Sequence, residues 1–257
     1  MKIVFFGDKE SPFANIILQG LIKSRLEPIA IFQNAKEPLN ADYLKSLGAD
    51  FFIVASFGKI LKKEIIGIPR LGTIGAHPSL LPRLRGPSPI QSAILNDEKE
   101  TGVALFLIDE KVDHGPLLAN HKLRIADDDN YGSLINKLAE ISVELLAETL
   151  PRIISGKLKS KPQDESLATY TKKFIAEDAF VDLAKDNSRQ AWLKIKALNP
   201  EPGAYAILKL KNEKGLRLKL LEADLFPDGK LELKTVQPEG KKPMPYSAFL
   251  NGYKNKI

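Results

Sequence analysis

The chain has 257 residues, 44% hydrophobic, 27% charged and 7% aromatic, which supplies core material for two domains and excludes wholesale disorder. Cysteine is absent, which excludes disulfides, thiolate metal sites and a cysteine nucleophile and fits a reducing, cytoplasmic compartment. The net charge of +6 is uneven: residues 1–170 carry 21 basic and 21 acidic side chains, while residues 171–257 carry 17 and 11 and hold the whole excess. A neutral front and a basic back predict one part for chemistry and one for a polyanion, while a solvated lysine-rich surface gives the same count.

Along the front, apolar runs alternate with helix-like spacing. Ile3–Gly7 predicts a buried strand rather than a signal peptide, since no small-residue cleavage site follows it. Phe13–Leu21 has helical spacing; Glu27–Phe32 and Phe51–Ala55 are expected strands, with a short helix near Ala41–Leu47 between them. Further elements are a helix over Lys59–Ile66, a strand over Leu71–His77, a helix over Pro89–Leu95, and strands over Val103–Leu107 and Leu117–Leu123. A long amphipathic helix, Tyr131–Ile154, follows the acidic Asp127-Asp128-Asp129, whose charges suit a helix N-terminus. Strand–helix alternation predicts an α/β, Rossmann-like and mostly parallel sheet covered on both faces. No run reaches the roughly 18 apolar residues of a membrane span, so no membrane partner is expected.

Past Ser155 the texture changes. Gly156–Lys173 is polar, contains Pro162 and reads as a linker. A helix over Arg189–Leu198 places Trp192, Ile195 and Leu198 on one side, with Trp192 expected in the core rather than as a base-stacking platform. Ala204–Lys211, Leu216–Ala223 and Lys230–Val236 alternate with period two, separated by turns at Asn212–Gly215 and Pro227-Asp228-Gly229. The resulting division is residues 1–155, a linker over 156–176, and a small basic β domain, barrel or sandwich, over 177–257.

Several chemistries lack their motifs. Neither G-x-G-x-x-G, nor a Walker-type phosphate loop, nor G-x-S-x-G occurs, and His77, His114 and His121 do not fall at zinc-ligand spacing, so no metal is expected. What remains is Ala76-His77-Pro78-Ser79-Leu80-Leu81-Pro82-Arg83-Leu84-Arg85-Gly86, which sets a histidine at a strand end beside a proline-bounded loop. Asp113 follows in Val112-Asp113-His114-Gly115-Pro116. A histidine oriented by a carboxylate is minimum equipment for moving a proton in acyl transfer. His114 and His121 read as structural or surface residues.

His77-Pro78-Ser79-Leu80-Leu81-Pro82 together with Asp113 resembles the folate-dependent formyltransferases. Arg85-Gly86-Pro87-Ser88-Pro89-Ile90-Gln91, the stretch Gln163–Tyr170, Ala197–Tyr205 and Val236–Met244 resemble the branch that acts on methionyl-tRNA. That resemblance implies a formyl-folate domain followed by an oligonucleotide-binding (OB) type barrel. It implies 10-formyltetrahydrofolate as formyl donor, methionyl-initiator tRNA as acceptor and partner, and a monomer. By the same resemblance His77 stabilises an oxyanion and protonates the departing nitrogen, and Asp113 orients the ring. Ser79, Leu80, Leu81 and Pro82 would line the folate site, with Phe57 and Gly58 as another wall.

The chain departs from the family pattern twice. Gly75 stands where the family has asparagine, whose amide serves the oxyanion. Only Gln33–Asp50 occupies the place of a long segment rich in Gly, Lys and Arg that engages the tRNA acceptor end. The shortened segment leaves open an acceptor that is a small amine, such as an amino sugar nucleotide. Gly75 leaves open a non-catalytic folate- or RNA-binding protein.

Overall fold

The computed structural model describes residues 1–211 and 215–253. They form two compact units: residues 1–90, 99–127 and 133–171 in the first, and residues 91–98, 128–132 and 172 onward in the second.

The first unit is built on a six-stranded sheet. Strands β1 (Ile3–Phe6), β2 (Ala30–Phe32), β3 (Phe51–Val54), β4 (Thr73–His77), β5 (Glu100–Leu107) and β6 (Leu117–Arg124) lie in the order β2-β1-β3-β4-β5-β6. Every side chain of β1 is buried, as an unbroken Ile-Val-Phe-Phe run requires of a strand covered on both faces. The β2–β1–β3–β4 portion is parallel, and β5 and β6 turn antiparallel. The edge strand β6 exposes the consecutive residues Asn120, His121 and Lys122, which face both sides of the sheet in alternation.

Around this sheet, helix α1 (Pro12–Lys23) starts where Ser11 Oγ accepts the Ala14 amide at 3.3 Å and Pro12 presets the first turn. The short helices α2 (Ala41–Ser46) and α3 (Lys63–Ile66) follow β2 and β3. Helix α3 begins four residues later than the spacing of Lys59–Ile66 suggests, with Lys62 still extended at φ −71° and ψ 156° before its first turn. Helix α4 (Pro89–Leu95) precedes β5, and α5 (Tyr131–Ile154) buries Leu134, Leu138, Leu145 and Leu146 at helical spacing.

The second unit contains α6 (Ser188–Leu198), capped by Asn187, and strands β7 (Tyr205–Lys209), β8 (Gly215–Leu225), β9 (Leu231–Pro238) and β10 (Met244–Pro245). These pair antiparallel in the order β10-β9-β8-β7. Period-two alternation sends Leu218 and Leu220 into a core shared with Ala191, Ile195 and Phe249, and Leu233 and Val236, three residues apart, both join it where the β8–β9 register is irregular. Phe249 comes from α7 (Tyr246–Tyr253), whose Tyr246, Phe249 and Tyr253 stack at spacings that share one helix face. Among the described residues the second unit is thus a small antiparallel sheet with helices. The expected turn at Asn212–Gly215 lies outside the described residues except for Gly215, which opens β8. Trp192 donates from Nε1 to the Ala223 carbonyl at 3.1 Å, and Lys196 Nζ covers its ring at 3.9 Å from the centroid.

Candidate active site

Strand β4 delivers His77 at its C-terminal end, in the middle of the sheet, with its side chain 8% exposed. Nε2 lies 2.9 Å from the Leu84 carbonyl oxygen. A carbonyl only accepts, so Nε2 carries a proton and donates it there. Nδ1 faces Asp113 Oδ2 at 3.5 Å, longer than a hydrogen bond but within ion-contact range. Asp113 sits in the turn after β5, with φ of 48°, and its Oδ2 also accepts the Gly86 amide at 2.7 Å. The structure therefore brings His77 and Asp113 together and leaves Nδ1 as the ring atom without a hydrogen bond to protein. An imidazole of this kind can accept a proton at one nitrogen and pass it on, with a carboxylate offsetting the charge.

The loop after His77 uses its polar groups internally. Ser79 Oγ donates to the Arg83 carbonyl at 2.7 Å, the Leu80 carbonyl accepts the Arg83 amide, and the Pro82 carbonyl accepts the Thr169 amide. Leu81 is buried with Ala104 and Phe106, flanked by Ile108 and Leu117. Phe57 packs elsewhere, in the cluster of Val4, Phe6, Phe52 and Leu61, with its ring edge against Phe6. Gly58 adopts φ of 69°, so it closes the turn that places Phe57.

Gly75 lies two residues before His77 on the same face of β4 and pairs across to Phe106 on β5. A Cβ built on Gly75 would fall 2.4 Å from Phe106 Cε1 and 2.6 Å from Cζ. The aromatic ring thus fills the volume that a side chain at position 75 would need.

The sequence singled out Gln163–Tyr170 without assigning a role to its side chains, and the structure gives them one. This segment runs as a strap beside residues 82–86: Arg85 donates its amide to Thr169 O and accepts from Thr171 N. The Arg85 side chain is fully buried, and Nη1 and Nη2 grip Glu165 Oε2 and Oε1 at 3.0 and 2.6 Å. Gln163 Oε1 accepts from Nε and Nη2 of Arg85, and Tyr170 Oη lies 3.1 Å from Nη1. Gln163 Nε2 in turn donates to the carbonyls of Asp113 and Gly115 at 2.9 and 2.7 Å. Position 115 admits only glycine on this backbone, since a Cβ would sit 1.8 Å from the Leu107 carbonyl oxygen. His114 points its Nδ1 at Asp109 Oδ2, 2.6 Å away, with Nε2 3.6 Å from Glu165.

The Arg85 hydrogen bond is the leading cause that holds the Glu165 carboxyl below its ordinary 4.5, against a smaller opposing effect of burial. A folded-state value below the unfolded one gives stability that is present above about pH 4.5 and lost as pH falls through the depressed value. Glu165→Gln is therefore expected to melt below wild type at pH 7, with the gap narrowing as pH falls below about 4.5. Thermal denaturation across a pH series reads this directly, and a gap independent of pH contradicts it.

Comparison with known proteins fits this geometry. The family model described as formyl transferase matches residues 12–150. The methionyl-tRNA formyltransferase of Dictyoglomus turgidum is 35% identical over 308 aligned positions, covering 100% of this chain and 98% of the relative. Those 308 positions exceed the chain's 257, so the relative carries residues that this chain lacks. Among solved structures, the methionyl-tRNA formyltransferase from Clostridium thermocellum superposes with a TM-score of 0.69 at 16% identity, over 93% of this chain and 99% of that one. HypX from Aquifex aeolicus, solved with tetrahydrofolic acid, gives a TM-score of 0.76 at 19% identity over 98% of this chain and 47% of HypX. These two share the fold. Among the described residues no helix is long and apolar enough to cross a membrane, and no cluster of three or more His, Asp or Glu could hold a metal ion. The strand-end histidine, the family match over more than half of the chain and the full-length relatives agree: the chain belongs to the folate-dependent formyltransferases, in the methionyl-tRNA formyltransferase family.

Proposed function

We propose that the chain transfers the formyl group of 10-formyltetrahydrofolate to the amino group of methionyl-initiator tRNA. The observation that carries the acceptor is the extent of the likeness: relatives named methionyl-tRNA formyltransferase align over all of this chain, second unit included. The charge distribution supports it, because residues 171–257 carry the whole net +6 and Lys and Arg neutralise phosphates with little sequence information. In this reading the second unit is an OB-type barrel that holds the tRNA, and residues 1–155 do the chemistry.

The donor set around His77 suits a formyl-carrying folate. His77 is paired across the sheet with Ala104, which belongs to an apolar cluster with Leu81 and Phe106, and in this reading Ser79 to Pro82 line the folate site with Phe57 and Gly58 as a second wall. The folate supplies the activated formyl carbon. His77 Nδ1 takes the proton released by the attacking amine and returns it to the departing nitrogen. Asp113 holds the ring in place and supports its protonated form, whose positive charge makes negative charge on the formyl oxygen less costly. Gly75 contributes no donor, so the chain performs this step without the amide that the family supplies there.

The shortened segment 33–50 favours a second reading, a small amine acceptor such as an amino sugar nucleotide. Radiolabelled formyl transfer, with 10-formyltetrahydrofolate saturating, separates the two. Label in methionyl-tRNA that rises with enzyme supports the tRNA reading. Label confined to an amino sugar nucleotide selects the second, and label in neither leaves a binding protein.

A further inference from the structure

Resting on the reading of His77 as the proton-moving group, we propose that the strap 163–171 is a clamp that selects which nitrogen of His77 does the work, with Thr169 and Gln163 as positioning residues. Two residues flank the ring: Leu84, whose carbonyl meets Nε2, and Asp113, whose carboxylate faces Nδ1. Both are non-glycine residues in left-handed backbone, with φ of 59° and 48°. Side chains with a Cβ avoid that region, so neither peptide orientation persists without something to hold it.

The strap holds both. Thr169 Oγ1 accepts the Leu84 amide at 2.8 Å and the Thr169 carbonyl accepts the Arg85 amide, so the two peptides on either side of the Leu84 Cα, the second of which carries the Nε2 acceptor, are both held. The backbone of Arg85 is pinned to Thr169 and Thr171, and its buried guanidinium to Glu165 and Gln163. The Gln163 amide then reaches the other flank through its hydrogen bonds to the Asp113 and Gly115 carbonyls. One side chain thereby ties the arginine beside the carbonyl partner of His77 to the turn that carries its carboxylate partner. The clamp keeps the proton of the neutral ring on Nε2 and leaves Nδ1, beside Asp113, to exchange protons with substrate. With the clamp loosened, the Leu84 peptide is free to leave the left-handed region, the ring redistributes between tautomers, and part of the population presents the wrong nitrogen.

The test is ¹⁵N-histidine labelling of the full chain, with formyl-transfer kinetics on the same preparations. Only three histidines occur, so substitution assigns each signal. Wild type is expected to show His77 as the Nε2-protonated tautomer. Thr169→Val, which keeps shape and removes the hydroxyl, is expected to lower kcat about tenfold, change KM for the formyl donor less than about twofold, and give a mixed tautomer signal. Thr169→Ser restores all three values. Gln163→Met moves them in the same direction as Thr169→Val, and it carries the test if that variant fails to fold. A wild-type ring protonated on Nδ1 overturns the proposal, as does a folded Thr169→Val or Gln163→Met with wild-type kcat and tautomer. His77→Ala is the separate control: unchanged transfer there removes the catalytic reading itself, and the tautomer signals of the variants still decide whether the strap holds the ring.

Discussion

His77→Ala is expected to slow formyl transfer by about 10²–10⁴-fold, the usual worth of a positioned general acid–base group. The loss belongs in kcat, since the ring acts through proton movement at Nδ1 and its Nε2 is already engaged with the Leu84 carbonyl. Removing the ring also frees that carbonyl and leaves a small void, which together cost about 1–3 kcal/mol. A domain with the usual 5–15 kcal/mol (a rough range) keeps its fold through such a loss, so the variant remains assayable. Asp113→Asn is expected to fall about 10- to 10³-fold, because the amide removes the charge that supports a protonated ring. Its fold is also affected, as Asp113 Oδ2 anchors the Gly86 amide, and melting temperature must be read beside rate. Single-turnover transfer with the formyl donor saturating measures both variants. A His77→Ala protein within about threefold of wild type would falsify the catalytic assignment.

How far the sequence could go is visible in these same residues. His77 and Asp113 were legible because each lies in a local pattern: a strand end before Pro-Ser-Leu-Leu-Pro, and a turn before Gly-Pro. Their meeting needed only that β4 and β5 be neighbours. Most of the first sheet was legible for a similar reason, since runs such as Ile3–Phe6 and Phe51–Val54 have nowhere to go but a covered sheet. The clamp was not legible. Arg85 joins Gln163 and Glu165, 78 and 80 residues away, and a fully buried arginine runs against the ordinary preference of that residue for solvent. Phe57, given by resemblance as a folate wall, packs its ring against Phe6 beside a turn where Ser56 and Gly58 hold positive φ, a neighbour that local pattern does not report. The antiparallel turn of β5 and β6 was hidden because residue alternation reports burial and not strand direction. Helix α7 announced itself only through the spacing of Tyr246, Phe249 and Tyr253, too short a pattern to weigh against the neighbouring strands.

The pairing of Gly75 with Phe106 makes the sharpest prediction about the missing amide. Reintroducing it alone is expected to harm the protein. In Gly75→Asn the new Cβ meets the Phe106 ring at 2.4 Å, so the ring or the strand must shift, at a cost of about 1–3 kcal/mol or more. The strained β4 carries His77, so activity falls as well. Phe106→Ala removes the obstacle but empties a buried site between Leu81 and Ala104, costing roughly 3–5 kcal/mol. The informative comparison is the double variant. In the Phe106→Ala background, Gly75→Asn is expected to be less destabilising than in wild type by about 1 kcal/mol or more, a coupling that denaturant unfolding of the four proteins measures. An amide in that position also projects to the face of β4 that holds His77. The double variant should therefore transfer formyl faster than Phe106→Ala alone, by up to the 10²–10³-fold (an order-of-magnitude range) that one oxyanion donor contributes. A stability coupling without a rate gain means that residue 75 packs against Phe106 but does not face the reacting carbon. Absence of both means that the ring yields without cost, and that glycine at this position has no steric cause.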